Sequence, residues 1–380
     1  MKKVLIFSTA YFPLVGGAEV AVEEIIDRIK GFEFDMITAK IESGLADQEK
    51  IGNVNVYRVG FGSNLDKYLL PFLGLKKAIS LNKKRDYKLT WSIMASFGGF
   101  LGLRFKKKYS NIPWLLTLQE GDPLEEIEKK VGIFGFWFKQ IFKQADYIQT
   151  ISSFLLDWAK EMGAKCPIEV VPNGVDIEKF RRADDQTINK LKEELGIKDE
   201  KIILTVSRLV KKNGIDDLIK AGQYLKFPFK ILIAGSGEQE RELKDLVKKL
   251  DLENKITFLG HIDYNNLPKY YSAADIFVRA SRSEGLGNVF LETMASGLPI
   301  IGTPVGGIPD FLEDPSTNSG QATGLFCKVN DPQSIAEKIK EVLENDELRK
   351  TLVDNGLNLV RDKYTWDIVA QKMERIFKKL

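Results

Sequence analysis

Two glutamates eight positions apart are the side chains of this sequence best suited to chemistry. Glu284 and Glu292 flank the stretch Gly285-Leu286-Gly287-Asn288-Val289-Phe290-Leu291, which runs from a glycine-rich loop into a predicted helix. A helix N-terminus offers unpaired backbone N–H groups and a positive dipole end, so a diphosphate can bind there without a metal ion. The two carboxylates can then accept hydrogen bonds from neighbouring hydroxyl groups. We expect this segment to bind a sugar nucleotide.

The passage from Arg282 to Pro299 resembles the signature segment of retaining glycosyltransferases of the GT-B fold, in particular glycosyltransferase family 4, the glycosyl transferases group 1. The resemblance implies that Glu284 contacts the hydroxyls of the transferred sugar and that Glu292 contacts the ribose diol. The residues alone leave an alternative, in which Glu284 caps the helix and Glu292 is a solvated helix residue, since exposed glutamate is the norm.

A basic segment directly follows the first predicted strand of the second domain. Its Arg208 matches the family's arginine, and a fixed cation can stabilise the charge that develops on a leaving nucleoside diphosphate. The family lysine usually stands immediately before the glycine, a position that Asn213 occupies here. We therefore assign the second cation to Lys212, with Lys211 as the alternate. A solvated lysine pair at a turn is the competing interpretation.

Two further glycine pairs stand between a predicted strand and a predicted helix, where glycine lets the backbone approach a bound phosphate or sugar closely. Gly16 and Gly17 follow the first strand, and in the family such a stretch faces the donor diphosphate and the acceptor. Gly235 and Gly237 resemble the family's nucleotide-binding turn. Taken alone, each pair is more often just a tight turn.

The loop that begins with His261 and Ile262 is expected to contact the nucleotide base, mainly through its backbone. His261 is the single histidine of the chain. By resemblance it occupies a strand-end position that is not catalytic. We expect its side chain to be packed or half-exposed.

The acceptor side departs from the family pattern. Family members often have a histidine after the strand that corresponds to residues 114–118, where this chain has Gln119-Glu120-Gly121-Asp122-Pro123. In a front-side retaining mechanism an oxygen of the donor phosphate takes the acceptor proton, so the enzyme need not supply a base. Glu120 and Asp122 are then candidates for orienting the acceptor hydroxyl or for assisting as a base. They could instead cap a helix after Pro123.

Short apolar runs alternate with longer amphipathic segments, which is typical of parallel sheets covered by helices. The sequence predicts an α/β protein of two doubly wound Rossmann-like domains, at 1–171 and 172–364, and resemblance to the GT-B fold implies that they face each other across a cleft. By resemblance, a helix at 365–380 crosses back to the first domain. Polar loops are predicted at 43–53 and 314–323. The predicted strands are 4–9, 34–39, 54–59, 89–94, 114–118, 147–152, 202–207, 230–234, 256–260, 276–280 and 299–302.

Composition limits the class of protein. The chain has 380 residues, of which 44% are hydrophobic and 29% charged, so it fits two globular domains and not a disordered protein. No uncharged apolar stretch reaches the roughly 18 residues that cross a bilayer. Cys166 and Cys327 lack metal-ligand spacing, and we expect reduced thiols in a cytoplasmic protein.

The segment 132–143 is rich in aromatic residues, with lysines interleaved at Lys139 and Lys143. Such a segment suits peripheral contact of the first domain with the inner face of an anionic membrane. The favoured alternative is an ordinary core helix with solvated lysines, because aromatic stripes at helical spacing usually face a core.

We predict a retaining glycosyltransferase that moves a hexosyl unit from a UDP- or GDP-linked sugar to a hydroxyl of a glycan or lipid-linked acceptor. We expect neither a metal or other cofactor nor a nucleic-acid partner. The alternatives are a sugar-nucleotide epimerase of the same architecture and a non-catalytic glycosyltransferase-like scaffold. The shortage of histidines argues against the epimerase, and Glu284, Glu292 and Arg208 argue against the scaffold. No Gly-x-Gly-x-x-Gly follows the first strand, which argues against a dinucleotide-binding oxidoreductase.

Overall fold

The computed structural model describes residues 1–14, 16–315 and 321–380, except for the side chain of residue 133. Residues 316–320, which belong to the predicted polar loop 314–323, lie outside this description. The chain divides into two compact units, one of residues 1–174 with 366–380 and the other of residues 175–365. None of the helices in the described ranges combines the length and hydropathy that a membrane span requires.

The first unit contains an eight-stranded sheet in the order β3-β4-β2-β1-β5-β6-β7-β8. Neighbouring strands are parallel except β3 and β4, which pair antiparallel. The strands are β1 (Lys2–Phe7), β2 (Phe32–Ala39), β3 (Gln48–Ile51), β4 (Val54–Val59), β5 (Leu89–Ile93), β6 (Trp114–Leu118), β7 (Tyr147–Thr150) and β8 (Ile168–Val170). The helices are α1 (Gly17–Arg28), α2 (Asp66–Arg85), α3 (Phe97–Lys108), α4 (Leu124–Val131), α5 (Gly135–Gln144), α6 (Ser153–Glu161) and α14 (Trp366–Lys379).

Alternate residues of β1 pack on opposite faces of this sheet. Val4 and Ile6 join a buried cluster with residues of α1 and α14, whereas Leu5 and Phe7 join a second cluster with residues of α2 and α3. Because side chains alternate along a strand, a strand covered on both faces needs apolar residues at successive positions, as in the buried residues 4–7 of β1. The C-terminal helix α14 is therefore part of the core of the first unit.

The second unit contains a six-stranded parallel sheet in the order β11-β10-β9-β12-β13-β14. The strands are β9 (Lys201–Val206), β10 (Phe229–Ala234), β11 (Ile256–Gly260), β12 (Ile276–Arg279), β13 (Ile300–Gly302) and β14 (Leu325–Phe326). The helices are α7 (Asp185–Glu194), α8 (Ile215–Ala221), α9 (Glu240–Lys249), α10 (Leu267–Ala273), α11 (Asn288–Ala295), α12 (Pro332–Glu344) and α13 (Asp346–Lys363). Short 3-10 turns occur at Gly132–Phe134, Lys211–Asn213, Tyr264–Asn266 and Ile308–Asp310.

The order of strands in the second sheet creates a topological switch point. The chain proceeds outward from β9 to β10 and β11, and then returns to place β12 on the other side of β9. The loops after β9 and β12 therefore diverge at the carboxyl ends of these strands. Open α/β sheets bind ligands in the crevice that such divergence leaves.

The predicted strands are present, with ends that differ by at most two residues, and three further strands were not predicted. All three lie at sheet edges, as β3, β8 and β14. The prediction of a polar loop at 43–53 was wrong for β3. Its residues are almost all exposed, so no buried face imposed an apolar pattern on the sequence.

Candidate functional site

The carboxyl ends of β9 and β12 bring predicted site residues to the switch point of the second sheet. β9 leads to Arg208, and β12 leads to Glu284. Arg208 is exposed, and within residues 1–14, 16–315 and 321–380 its guanidinium has no hydrogen-bond or ion-pair partner. An anionic ligand could therefore reach an unneutralised cation at this end of the sheet.

Glu284 is buried and ion-paired. It is 9% exposed, and its Oε2 lies 2.6 Å from Nη2 of Arg279, close in distance although not aligned as a hydrogen bond. Its backbone carbonyl accepts the N–H of Gly307 at 3.2 Å, and a Cβ at Gly306 would overlap that carbonyl oxygen. Because the side chain turns to Arg279 and α11 begins after Gly287, the interpretation of Glu284 as a helix cap is wrong.

Glu292 lies inside the protein on α11. It is 7% exposed, and one carboxylate oxygen accepts a hydrogen bond from the hydroxyl of Tyr271 at 2.9 Å. Burial raises the pKa of Glu292 to about 7, whereas the Tyr271 hydrogen bond and the positive charges of Lys179 and Arg279 act in the opposite direction. The interpretation of Glu292 as a solvated helix residue is therefore wrong.

Two residues that the sequence analysis did not select, Arg279 and Tyr271, hold these carboxylates. Arg279 also contacts Oδ1 of Asn213 at 3.1 Å and Oγ of Ser281 at 3.1 Å. The sequence did contain a signal for Arg279, because it is the single charged residue at the end of a buried and otherwise apolar strand. Tyr271 gave no comparable signal, since an aromatic residue on a helix usually packs in a core.

The lysine pair lies in the 3-10 turn Lys211–Asn213 after β9. The side chain of Lys211 is exposed and that of Lys212 is partly exposed. Both backbone carbonyls are held by Arg282, through its guanidinium at 2.6 Å for Lys211 and its N–H at 2.6 Å for Lys212. The turn is therefore fixed, and the assignment of Lys212 as the second cation stays a prediction.

The glycines after β10 are required by close packing of the backbone. The N–H of Gly235 donates to the carbonyl of Gly260 at 2.7 Å, and φ at Gly235 is +134°. A Cβ at Gly235 would overlap the carbonyl oxygen of Ser207, and one at Gly237 would approach that of Leu209 too closely. The loops after β9, β10 and β11 thus lie against one another, and the nucleotide-binding role of these glycines stays a prediction.

His261 and Ile262 follow β11 at the carboxyl edge of the same sheet. The side chain of His261 is 79% exposed, and its Nε2 lies 4.0 Å from the carboxylate of Asp263. The expectation of a packed or half-exposed histidine was therefore wrong. Ile262 is half-buried. Their contact with a base stays a prediction.

In the first unit, Gly16 and Gly17 lie at the start of α1 and are exposed. The N–H of Gly16 donates to Oε2 of Glu19 at 2.8 Å, so this glutamate caps the N-terminus of α1. Burial raises the pKa of the Glu19 carboxyl, against the opposing effect of backbone N–H groups. Val15, which precedes this pair, lies outside the described residues.

Glu120 follows β6 and is buried, with 8% exposure. Its Oε1 accepts the N–H of Ala95 at 2.6 Å, while its Oε2 has no hydrogen-bond partner in the described part of the chain. Burial raises the pKa of Glu120 to about 7, opposed by backbone N–H groups including that of Ala95. The helix-cap interpretation is therefore wrong for Glu120. Asp122 is exposed.

The residue before Ala95 has an unusual backbone conformation. Met94 directly follows β5 and has φ of +66°, in the left-handed region that residues other than glycine seldom adopt. Such outliers cost of order 1–3 kcal/mol and cluster at functional sites. Here the turn at Met94 directs the N–H of Ala95 toward Glu120.

The aromatic and lysine-rich segment forms a helix with two faces. On α5, Phe138, Ile141 and Phe142 are buried. Phe136 and Trp137 are exposed, by 67% and 49%. The segment is therefore a core helix on one side and presents aromatic rings to solvent on the other.

Two family models match this chain and together span most of it. The model of Glycosyltransferase Family 4 matches residues 15–179, and that of Glycosyl transferases group 1 matches residues 187–359. The chain belongs to glycosyltransferase family 4. It is thus an enzyme of the glycosyltransferase class.

Relatives of this glycosyltransferase are known from several organisms. An uncharacterised glycosyltransferase of Methanocaldococcus jannaschii is 28% identical over 388 residues, covering 99% of this chain and 98% of the relative. A GDP-mannose-dependent monoacylated alpha-(1-6)-phosphatidylinositol monomannoside mannosyltransferase of Corynebacterium glutamicum is 30% identical over 250 residues, covering 63% of each chain.

Solved structures share the fold of this glycosyltransferase over its whole length. Sucrose-phosphate synthase from Thermosynechococcus elongatus superposes with a TM-score of 0.84 at 22% identity and covers 100% of this chain and 99% of its own. Anabaena HepE in complex with UDP superposes with a TM-score of 0.82 at 18% identity and covers 100% of both chains. The two units therefore have the GT-B architecture of two Rossmann-like domains.

Proposed function

We propose that this enzyme transfers a hexosyl unit from a UDP- or GDP-linked sugar to a hydroxyl of a glycan or lipid-linked acceptor, with retention of configuration. The observation that carries the proposal is the pair of buried, partnered carboxylates, Glu284 and Glu292, which follow β12 while the exposed cation of Arg208 follows the neighbouring β9. The mannosyltransferase relative uses GDP-mannose, and the HepE structure contains UDP. These names support both nucleotide bases as candidates.

In the proposed donor complex each carboxylate binds hydroxyl groups. Glu292 accepts hydrogen bonds from the ribose diol, and Glu284 accepts them from the transferred sugar, since charge-assisted bonds are the stronger class. Arg208 and Lys212 neutralise the diphosphate without a metal ion. The remaining proposed donor contacts come from Gly16, Gly17, Gly235, Gly237, His261, Ile262, Gly285, Leu286, Gly287, Asn288 and Val289.

The transfer step is proposed to occur on one face of the sugar. The bond from the anomeric carbon to the diphosphate oxygen breaks, and a bond from that carbon to the acceptor oxygen forms on the same face. The acceptor proton moves to an oxygen of the departing diphosphate. Positive side chains then stabilise the charge on that leaving group.

Glu120 and Asp122 are proposed to orient the acceptor hydroxyl. Oε2 of Glu120 has no hydrogen-bond partner among the residues that the structure describes. This supports the role, because a ligand hydroxyl that bonds to such a buried oxygen lowers the free energy of the complex. The left-handed conformation of Met94 also supports a functional site at this edge of the first sheet.

Calorimetric titration with UDP, GDP, ADP, dTDP and NAD, in buffer with a chelator and no metal ion, tests the proposal. We expect one nucleoside diphosphate to bind saturably and NAD not to bind. Glu292→Ala should weaken that binding by about 10-fold or more, since it removes a charge-assisted contact to the ribose. Binding that requires added metal would contradict the metal-independent part of the proposal.

The matched control is Glu253→Ala. Glu253 is an exposed glutamate that precedes β11, at the opposite end of the sheet from the proposed site. Its removal should leave the nucleotide affinity unchanged. Equal affinities for the Glu292→Ala protein and the control would overturn the assigned role of Glu292.

We also propose that the first unit contacts an anionic membrane surface when it uses a lipid-linked acceptor. The rings of Phe72 on α2 and Trp137 on α5 are about half exposed. The guanidinium of Arg104 lies 4.5 Å from the Phe72 ring centre, and the ammonium of Lys107 lies 4.5 Å from the Trp137 ring centre. Rings that insert at the headgroup level, beside cations that attract anionic lipid, suit such contact.

Vesicle sedimentation tests this contact. We expect the protein to sediment with vesicles containing phosphatidylglycerol and less with pure phosphatidylcholine, and the bound fraction should fall as salt rises. The double variant Phe72→Ala/Trp137→Ala should reduce binding, whereas Tyr224→Ala, which removes an exposed ring from the second unit, should not. Equal binding of both variants would overturn the proposed membrane surface.

A further inference from the structure

Arg279 places a guanidinium at the switch point of the second sheet. It is the last residue of β12, and its side chain is only 9% exposed. Its Nη1 donates to the carbonyl of Val206, the last residue of β9, at 3.3 Å. The side chain therefore links the two strands from which the loops of the proposed donor site diverge.

The same guanidinium connects two residues of that site. Nη2 lies 2.6 Å from Oε2 of Glu284 and donates to Oδ1 of Asn213 at 3.1 Å. The amide of Asn213 in turn donates through Nδ2 to the backbone carbonyl of Arg208 at 2.7 Å. A continuous series of contacts thus joins the backbone of Arg208 to the carboxylate of Glu284.

Burial of this charge is not explained by stability. Removing an arginine from water is costly, and well-packed apolar side chains often replace a buried ion pair without loss of stability. The neighbouring strand residues Phe277 and Val278 are fully buried and apolar, so an apolar residue at this position would suit the sheet. A function that needs a fixed guanidinium gives a reason for the exception.

We propose that Arg279 is a positioning residue of the donor site, which holds the Glu284 carboxylate in the orientation that binds the transferred sugar, while Nδ2 of Asn213 holds the backbone of Arg208 by a hydrogen bond of its own. The inference rests on the proposed function and adds a residue to it. Arginine suits the task because its planar fork directs several donors to different acceptors at once, whereas lysine is a point charge on a flexible stem. Arg279 acts through Glu284 and does not itself contact the sugar.

The decisive measurement compares a nucleoside diphosphate with its sugar conjugate. For Arg279→Met we expect the affinity for free UDP or GDP to change by less than about threefold, because nucleotide contacts stay in place. The affinity for UDP-glucose or GDP-mannose should fall by about 10-fold, and slow hydrolysis of that donor by about 100-fold, because Glu284 loses its orientation. If Arg279 only stabilised the fold, the nucleotide affinity, the sugar-nucleotide affinity and the hydrolysis rate would all fall in proportion to the folded fraction of the protein.

Arg279→Lys and Arg349→Met complete the series. The lysine variant keeps the charge and loses the fork, so we expect it to recover at most about a tenth of the lost hydrolysis rate. Arg349 is an ion-paired arginine on α13 with Nη2 2.7 Å from Oδ1 of Asp346, and its replacement should leave donor binding and hydrolysis unchanged. Full recovery by lysine would overturn the requirement for the fork.

A double-mutant cycle keeps the test decisive if Arg279→Met unfolds the protein by leaving Glu284 without a cation. Arg279→Met/Glu284→Gln removes both charges together. If Arg279 acts through Glu284, the double variant should hydrolyse the donor within about threefold of Glu284→Gln alone, since residues that act as a unit are not additive. Multiplied losses would overturn the inference.

The outcomes separate the two proposals. If the unmodified protein binds no nucleoside diphosphate and hydrolyses no nucleotide sugar, the proposed function fails and this inference fails with it. If the unmodified protein binds and hydrolyses a donor, and Arg279→Met does so equally well, the proposed function stands and the role of Arg279 is overturned.

Discussion

Both sheets have buried carboxylates near the carboxyl ends of their strands, but the partners of these carboxylates differ. In the second unit Glu284 lies beside the guanidinium of Arg279, and Glu292 accepts a hydrogen bond from Tyr271. In the first unit Glu120 receives the backbone N–H of Ala95 on one oxygen, and across the described ranges its other oxygen has no hydrogen-bond partner. The second unit thus supplies a side-chain partner for each carboxylate, and the first unit supplies only backbone.

The site in the second unit is therefore preorganised, whereas the site in the first unit lacks a hydrogen bond that a ligand can supply. Side chains that are already held by partners lose little further freedom when a ligand binds, which favours affinity and orientation. A buried oxygen without a hydrogen bond costs free energy until a ligand provides one. We therefore expect the second unit to bind its ligand alone, whereas the first unit completes its hydrogen bonds only with a second substrate.

Glu284→Gln should break the second site most severely. The amide keeps the size of the side chain but removes the negative charge that pairs with Arg279. We expect the release of nucleoside diphosphate from a bound sugar donor to slow by about 100- to 1000-fold, the usual cost of removing one well-placed polar group from a transition state. Coupled detection of the released UDP or GDP measures this rate.

The free nucleotide provides the internal control for Glu284→Gln. Because Glu284 is assigned to the sugar, the affinity for UDP or GDP should stay within about threefold of the original. The matched exposed variant is Glu253→Gln, which should change neither quantity. A loss of nucleotide affinity as large as the loss of rate would assign Glu284 to the nucleotide instead.

Gly306→Ala should disturb the same site through the backbone. A Cβ at Gly306 would overlap the carbonyl oxygen of Glu284, and φ there is +56°. The loop must shift, and we expect donor hydrolysis to fall by about 10- to 100-fold, since small displacements of positioned groups are costly. Gly196→Ala is the matched control, because φ there is +64° and, apart from the adjacent residues, no atom in the described part of the chain lies within 4 Å of the added Cβ. Equal loss in both variants would show that strain alone is responsible.

Much of the fold followed from the sequence, because buried strands between helices leave apolar runs. The three strands that were missed are short edge strands, and β3 is exposed, so no core contact shaped their composition. The glycine loop before α11 was also recognisable, since few local structures need that spacing of glycines and glutamates.

The partners of the carboxylates could not be predicted in the same way. Glu284 and Arg279 are close in sequence, yet their contact depends on how the loop after β12 folds back. Tyr271 reaches Glu292 from another helix, 21 positions earlier in the chain. Glu120 accepts the N–H of Ala95, which follows β5 and the turn at Met94, 25 positions earlier in the chain. Tertiary packing determines all three contacts, so local sequence patterns could not predict them.

Glu120→Gln and Glu292→Gln should each stabilise the protein at pH 8. Both carboxyls have a pKa of about 7, raised by burial above the ordinary 4.5. At pH 8 both folded and unfolded states are ionised, and the folded state bears the cost of the buried charge, which an amide avoids. We expect a gain of about 1–3 kcal/mol, measured as a rise in the urea midpoint.

The stabilisation by Glu120→Gln and Glu292→Gln should disappear in acid. Below pH 4.5 both states are protonated and the carboxyls carry no penalty, so the penalty develops as pH rises from about 4.5 to 7. Glu284→Gln should show no such gain, because it leaves Arg279 without its anion. A stabilising Glu284→Gln would contradict the distinction between an ion-paired carboxylate and the two without a cation in contact.

The pH dependence of nucleotide affinity should distinguish Glu292 from Glu284. A carboxylate that accepts hydrogen bonds from the ribose diol must be ionised, and the pKa of Glu292 is about 7 in the free protein. Lowering the pH from 8 to 6 should then weaken UDP or GDP binding by about 10-fold, because most Glu292 becomes protonated. Calorimetry across this range measures the slope.

Glu292→Gln isolates this contribution from the titration of the nucleotide's own phosphate, which occurs over the same pH range. The variant should bind weakly at every pH and keep only the slope due to the phosphate. Glu284→Gln should keep the full slope, since its carboxylate is assigned to the sugar and free nucleotide does not reach it. If both variants lost the slope equally, the two carboxylates would form one titrating unit, and the separate ribose and sugar roles would have to be abandoned.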